Sequence, residues 1–238
     1  MTTAPSGISK ERLPPHPQST CRACWLGTIG YQPAYDLQKR LWRQILDGCG
    51  EDTLLLLEHP PTLTLGKSGK LENLLVSREE LAARGISLFF TDRGGDITYH
   101  GPGQLVAYPI LDLSRHGKDI HGYIHNLQEV IIRTLAEFSV TARRDERHVG
   151  VWVRDEKIAA IGVAVHRWIA MHGLALNVNP DMEHFRLINP CGITDKGVTS
   201  LARLLGHDVP VKDVAQRVAG HFSTVFNTAI EWVPTESL

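Results

Sequence analysis

The sequence predicts an α/β chain of the α+β kind: a single domain in which a mixed β-sheet carries flanking helices. Two observations lead there. Strand-like runs follow one another in series, with helix-like runs interspersed among them. No internal repeat, low-complexity block or convincing linker divides the 238 residues, and with 42% of them hydrophobic they suffice for one sizeable core.

The elements can be justified in order. Residues 1–20 hold several prolines and no apolar signal-peptide core, and are expected to form a flexible tail. Trp25–Tyr31 is a short strand candidate. Pro33 stands where a first helical turn begins, and Ala34–Leu46 sets Leu37, Leu41 and Ile45 at helical spacing before Gly48 and Gly50 end the run. Thr53–Glu58 is an unbroken apolar run bounded by Pro60 and Pro61, which predicts a buried strand, and Thr62–Leu65 alternates as a second strand. Ser77 followed by Glu80 is a capping box for a short helix ending near Gly85, and Ile86–Thr91 is a strand. Arg93–Gly103 reads as a glycine-rich loop and Leu105–Leu111 as a strand. Asp119–Phe138 is the longest helical pattern, with Ile124, Leu127, Val130, Ile131, Leu135 and Phe138 on one side. Val149–Val153, Lys157–Val165 and Ile169–Val178 are three successive strands, and Val211–Phe226 is a closing helix. The domain is expected over 21–230, with a C-terminal tail from 231 to 238.

Composition narrows the classes. A formal net charge of −1 supplies no global field directed at nucleic acid. Arg143, Arg144 and Arg147, beside Asp145 and Glu146, read either as a solvated turn or as a docking patch for an acidic partner. No apolar run reaches membrane-spanning length, so no membrane partner is expected. Four cysteines (Cys21, Cys24, Cys49 and Cys191) do not suggest a disulfide framework, and a reducing compartment fits them better. Cys21 and Cys24 form a C-x-x-C with no second pair and no paired histidines to complete a metal site, so the pair reads as incidental and no metal is expected.

Three features carry chemistry. The segment Arg93–Pro109, RGGDITYHGPGQLVAYP, combines four glycines with Arg93, Asp96, Thr98, Tyr99, His100 and Gln104. Glycine permits positive φ and close approach of backbone to a ligand. The segment is neither a Walker loop, lacking a closing G-K-[S/T], nor a Rossmann turn. It is either a structural turn between strands or a binding loop, and the polar side chains favour the second. Cys191 sits between Pro190, which has no amide hydrogen, and Gly192, which has no Cβ, so it occupies an unusual turn. A lone cysteine is ordinarily a buried structural residue, and a reactive one needs a neighbouring cation or helix N-terminus. Lys157 follows Asp155 and Glu156 and opens an apolar run, which makes it a turn residue or a cation aimed into a cleft. Sequence spacing alone does not bring the two together.

The pattern R-G-G-x-x-T-Y-H-x-x-G-Q-x-V-x-Y, complete from Arg93 to Tyr108, resembles the signature of the octanoyl-carrier-protein:protein octanoyltransferases, the acyltransferases of lipoate biosynthesis. The likeness continues in GVWV (Gly150–Val153), KIAAIG (Lys157–Gly162), HGLALNVN (His172–Asn179), INPCGI (Ile188–Ile193) and TSL (Thr199–Leu201), and spans Trp25 to Phe226. The resemblance implies the catalytic-domain fold of the biotin/lipoyl protein ligases, with the mixed sheet as one wall of an acyl tunnel. It implies Cys191 as nucleophile and Lys157 as its acid/base partner. It implies substrate binding by Arg93, Gly94, Gly95, Asp96, Ile97, Thr98, Tyr99 and His100, by Ala160, Ile161 and Gly162, and by Gly173, Leu174 and Ala175. The implied reaction moves an octanoyl or lipoyl group from acyl carrier protein to a lysine of a lipoyl domain, as the first step of endogenous protein lipoylation. Acceptors would be E2 subunits of 2-oxoacid dehydrogenases and the glycine cleavage H protein, and the enzyme would be a cytoplasmic monomer needing no cofactor.

One departure is visible: Ala160 stands where the family often has a polar residue, which is expected to alter pocket detail rather than reaction type. Gly173 and Ala175 are expected to leave room for a straight chain, with Leu174, Leu176 and Ile161 as apolar walls. Oxyanion donors are backbone amides near Cys191 or Gly162, or the imidazole of His100, which equally reads as a structural histidine. Three rivals remain at this stage. An ATP-dependent lipoate or biotin ligase shares the fold but has no need of Cys191. A cysteine hydrolase would use His172 or His184 as base. A non-catalytic module would merely bind carrier proteins.

Overall fold

The computed structural model describes residues 19–189 and 196–238. Most of the expected N-terminal tail, and Cys191 with its flanking Pro190 and Gly192, lie outside the described residues.

β1 (Ser19–Thr28) leads into α1 (Tyr31–Leu46), whose first turn accommodates Pro33 because the amide it lacks would have no helical partner there. β2 (Thr53–Glu58) and β3 (Thr62–Leu65) are separated by the two prolines. Ser77 caps α2 (Arg78–Ala83), its hydroxyl accepting from the Glu80 amide. Then come β4 (Ser87–Phe90), β5 (Ile97–His100) and β6 (Gln104–Ile110). Asp119 caps α3 (Ile120–Ala136) by accepting from the His121 amide. A meander of β7 (Val151–Val153), β8 (Glu156–His166) and β9 (Ile169–Asn177) follows. The chain closes with β10 (Gly197–Val198), α4 (Leu201–Leu205), α5 (Val211–Phe226) and β11 (Thr228–Trp232).

These strands form two sheets. The large one runs β10-β8-β9-β6-β2-β1-β11, with β7 paired to β8, and the small one runs β4-β3-β5. The large sheet is mixed: β1 is parallel to β2 and β11, whereas along β2, β6, β9 and β8 each strand is antiparallel to the next. Its two faces bury different sets. Leu54 and Leu56 point to the side covered by α3 and α5, where Leu127, Val130, Ile131, Val214, Val218 and Phe222 meet them. Leu55 and Leu57 point to the other side, against Ala34, Leu41 and Ile45 of α1. Burial on both faces explains why β2 is an unbroken apolar run rather than an alternating one. The small sheet has its own core of Leu63, Ile97, Tyr99, Phe185 and Leu187.

The structure changes several element bounds and adds further elements. The stretch taken as loop from Arg93 to Gly103 contains β5, paired antiparallel with β3 through Leu63 and Tyr99. Its Thr-Tyr-His composition hid it, because the strand buries polar side chains. β1 extends back to Ser19, and the expected C-terminal tail begins instead as β11, with Arg22 level with Glu231 and Ala23 level with Trp232. Helix α4, capped by Ser200, has too few residues to show a period. Cys21 and Cys24 stand three apart on a strand, so they face opposite sides: Cys21 packs in the α3–α5 core and Cys24 against α1. Burial pushes both thiols above their ordinary value. The C-x-x-C spacing therefore forms no pair.

Phe222 is buried and stacks on Phe226 with ring centroids 4.2 Å apart. Phe222→Ala is expected to lower stability by about 3–5 kcal/mol, seen as an earlier denaturant midpoint at unchanged slope.

Candidate active site

A cavity of about 520 Å³, counted to its open mouth, lies between the glycine-rich segment and the β8–β9 hairpin. Of the expected binding residues, Arg93, Gly95, Asp96, Thr98, His100, Ala160, Ile161, Gly162, Gly173, Leu174 and Ala175 line it, as does Lys157. Gly94, Ile97 and Tyr99 do not. Ile97 and Tyr99 alternate with Thr98 and His100 along β5 and so point into the core of the small sheet. Four further residues line the cavity: Tyr31, Tyr108, Val149 and His172. Tyr108 closes the sequence pattern and His172 opens the HGLALNVN run, but nothing in the local sequence marks Tyr31 or Val149.

The glycines of the hairpin serve backbone contact. Gly162 and Gly173 lie opposite each other in the β8–β9 ladder. A Cβ on Gly162 would stand 2.9 Å from the Gly94 carbonyl oxygen, and one on Gly173 would collide with the Ala107 carbonyl oxygen. The missing Cβ of Gly162 lets the Gly94 amide donate to the Val163 carbonyl at 2.8 Å. Gly173 thus fits the sheet to its neighbouring strand as well as lining the cavity. Gly173→Ala is expected to lower the unfolding temperature, because the collision is with backbone, which cannot move aside without breaking the ladder; a thermal scan checks this.

Arg93 is buried. Its Nη2 donates to the Thr64 carbonyl (2.6 Å), the Thr64 hydroxyl (2.9 Å) and the Asp96 carbonyl (2.7 Å). From there a directed chain of hydrogen bonds crosses the site. Gln104 Nε2 donates to the Tyr99 carbonyl and to Asn177 Oδ1, so Gln104 Oε1 must accept from His100 Nδ1–H at 2.8 Å. His100 Nε2 is then an acceptor and takes the Thr64 hydroxyl hydrogen at 3.2 Å. Asn177 Nδ2 donates on to the Thr199 carbonyl, and the Thr199 amide to the Lys157 carbonyl. The Thr64 link requires a neutral His100. Burial, with His59, Arg93 and His172 nearby, pushes its pKa down to about 3. His100 is therefore a structural histidine, with no N–H left for an oxyanion. His59 is neutral for the same reason: Nδ1–H donates to the Ile29 carbonyl, Nε2 accepts from the Tyr108 hydroxyl, and burial lowers its pKa to about 4.

Lys157 is 6% exposed, at the foot of β8. Its Nζ lies 4.9 Å from the ring centroid of Trp152, its cross-strand neighbour. Lys196 Nζ lies 4.8 Å from the same ring and is held by Asp145 at 2.6 Å. Lys196 is also where the chain re-enters the described structure after the segment carrying Cys191, and the last described residue before that segment, Asn189, donates its amide to the Asn73 carbonyl. At the other end of the cavity His172 Nε2 donates to Asp92 at 2.8 Å. That bond and one from the Tyr35 hydroxyl hold the Asp92 pKa at about 2. Among the described residues no group of His, Cys, Asp and Glu is arranged to hold a metal ion, and no helix is long and apolar enough to cross a membrane.

The lipoyl protein ligase A/B catalytic domain matches residues 30–223. The octanoyltransferase of Caldicellulosiruptor saccharolyticus is 50% identical over 217 residues, covering 90% of this chain and 92% of the relative. That of Desulforamulus reducens is 48% identical over 214 residues, covering 90% and 94%. The chain belongs to this family, on its octanoyltransferase branch. It is an acyltransferase. Its fold is shared with a lipoate-protein ligase A bound with ATP (TM-score 0.76, 17% identity, 90% of this chain and 89% of that one). It is shared too with a putative lipoate protein ligase of T. acidophilum with bound lipoic acid (TM-score 0.71, 16% identity, 90% and 89%). The ligase likeness is thus one of fold, while identity near one half lies with the octanoyltransferases.

Arg144 pairs with Glu129 at 2.5 Å, and Arg143 lies 3.5 Å from Asp155, so these two arginines are engaged within the molecule. His184 bonds the Tyr99 hydroxyl at 2.8 Å. His172 sits at the far end from Lys157: its partner Val163 is six residues along β8 (157 to 163), a strand rise of about 20 Å.

The buried neutral histidines set an acid limit on this transferase. In the unfolded chain each takes up a proton near its ordinary value of 6.5, whereas in the folded chain His100 and His59 wait until about 3 and 4. Below 6.5 the unfolded state binds more protons, so stability falls as pH drops from about 6.5 towards 4. Asp92 contributes nothing to that window, since its share is lost only from about 3.8 down to 2. The unfolding temperature is expected to fall between pH 7 and pH 5, and His59→Asn, which keeps a donor for the Ile29 carbonyl, to flatten that slope.

Proposed function

We propose that the chain transfers an octanoyl group from acyl carrier protein to a lysine of lipoyl domains, through a thioester on Cys191 and with Lys157 as acid/base partner. The observation that carries this reading is a buried lysine at one end of a cavity whose walls are the R-G-G-x-x-T-Y-H segment and the small and apolar residues of β8 and β9. Re-entry of the Cys191 segment at Lys196, on the same tryptophan as Lys157, supports it. So do relatives named octanoyltransferase across 90% of the chain.

The chemistry balances without an added reagent. An ammonium at Lys157 favours the Cys191 thiolate, the more strongly where water is excluded. The thiolate attacks the carrier's thioester carbonyl, and the carrier's sulfur leaves with the proton of Lys157, giving an S-acyl enzyme and a neutral lysine. The acceptor amine then attacks. Lys157 takes its proton, the C–S bond breaks, and an amide and the Cys191 thiolate remain. Thioester to amide runs downhill, so no nucleotide is consumed and no cofactor is required. The chain would lie over Ala160, Ile161, Gly162, Gly173, Leu174 and Ala175. Acceptors are E2 subunits of 2-oxoacid dehydrogenases and the glycine cleavage H protein, and the enzyme acts as a cytoplasmic monomer.

Incubation with octanoyl carrier protein in the absence of ATP, followed by intact-protein mass spectrometry, tests this. A single octanoyl adduct is expected on the wild type and none on Cys191→Ala. Lys157→Met is expected to slow transfer to a lipoyl domain by about 10²–10⁴-fold. A wild type that takes up no octanoyl group from the carrier, but lipoylates with free octanoate and ATP, would overturn the reading in favour of a ligase.

A further inference from the structure

The cavity ends in a plug of rings drawn from three separate elements. His172, level with Val163 and six residues along β8 from Lys157, lines its remote end, with Tyr108 against it and Tyr31 linked to it through Tyr35. His172 meets Tyr108 edge-on with centroids 6.2 Å apart and stacks on Tyr35 at 5.5 Å. Each ring is pinned by a polar bond: Tyr31 to Thr91 at 2.9 Å, Tyr108 to His59 at 2.9 Å, and His172 to Asp92 at 2.8 Å. Rings fixed at both body and tip resist displacement by an entering chain, unlike a wall of leucine or methionine.

His172 shows a second sign of deliberate placement. It lies inside β9 yet has φ +57°, a left-handed conformation that a side chain rarely adopts within a strand. Its amide is taken by Gln38 Oε1 of α1 at 2.9 Å. Such strain persists only where the surroundings enforce it, and it clusters at ligand sites. Behind the imidazole stands Asp92, whose side chain is 39% exposed, so solvent lies just beyond the plug.

We infer that Tyr31, Tyr108 and His172 form the stop that sets the upper length of the acyl chain, with His172 as its gatepost. The inference rests on the proposed transfer reaction, which places the carbonyl by Lys157 and sends the chain along Ala160–Gly162 and Gly173–Ala175 towards these rings. The stop acts on chain length alone: a longer chain meets a fixed ring and holds its carbonyl short of Lys157, whereas a shorter one leaves the far end unfilled. Discrimination per methylene in an apolar pocket is about ten-fold or more, so a fixed stop is enough to favour a medium chain.

His172→Gly tests it, because glycine accepts the positive φ while removing the imidazole. Tyr31→Ala, at the first turn of α1, removes a second part of the stop through a different element. The readout is the ratio of kcat/KM for dodecanoyl over octanoyl carrier protein, measured on variants that unfold cooperatively. In each variant the ratio is expected to rise at least about ten-fold over wild type. Folded variants that keep the wild-type ratio would overturn the stop. A wild type that transfers no acyl chain of any length from the carrier would instead overturn the transfer reaction beneath it.

Discussion

Arg93 donates from a buried guanidinium to Thr64 of β3, and the next residue, Gly94, donates its amide to Val163 of β8. These adjacent residues tie the small sheet to the large one, and the cavity is the space left where they meet. A charge at this depth is tolerable because carbonyl and hydroxyl oxygens surround it: Thr64, Gly94 and Asp96 all accept from it. The approach is possible only because β8 offers a glycine at position 162. Arginine, glycine pair and hairpin glycines are thus one device, and the order R-G-G in the sequence is its signature.

From Arg93 the polarity of the site propagates in one direction. Each donor in the chain through Thr64, His100, Gln104 and Asn177 is fixed by its neighbour, and the chain terminates on the backbone around Lys157. A half-satisfied network would be worse than an apolar core. Full satisfaction leaves His100 no proton to give or take, so its part is to hold β5 and β6 in register under the substrate segment. Lys157 is treated differently. Its Nζ rests 4.9 Å from the Trp152 ring centroid, where cation–π attraction offsets part of the desolvation.

How far the sequence reveals this depends on how local each constraint is. Ser77 and Glu80 cap a helix three residues away, and the α3 and α5 stripes repeat within a few turns, so both were legible. β11 was not, because its only reason to be a strand is an edge of β1 about two hundred residues earlier in the chain. β5 was obscured by its own polar residues, whose burial depends on β3. In the site, R-G-G and T-Y-H stood out as pattern, but alternation along β5 turns Ile97 and Tyr99 away from the cavity while Thr98 and His100 face it. Tyr31 enters from α1, whose contribution no spacing within the glycine-rich segment encodes.

The distribution of strain follows the same logic. A histidine with positive φ in a strand, two histidines buried neutral and a buried lysine all reduce stability, and they lie on β9, on β5 and the turn after β2, and on β8. The apolar packing that offsets them lies mainly on the opposite face of the same sheet, where α3 and α5 close over Leu54, Leu56, Leu105 and Leu176. Placing cohesion on one face and strain on the other lets the cavity side be shaped by chemistry while the helix side holds the strands in register. A strand shared by both faces, such as β9, must then satisfy each in alternation: Leu176 packs into the helix core, and Ala175 lines the cavity. That requirement explains why the run from His172 to Asn177 mixes small, apolar and polar residues with no simple period, although every one of its residues is buried.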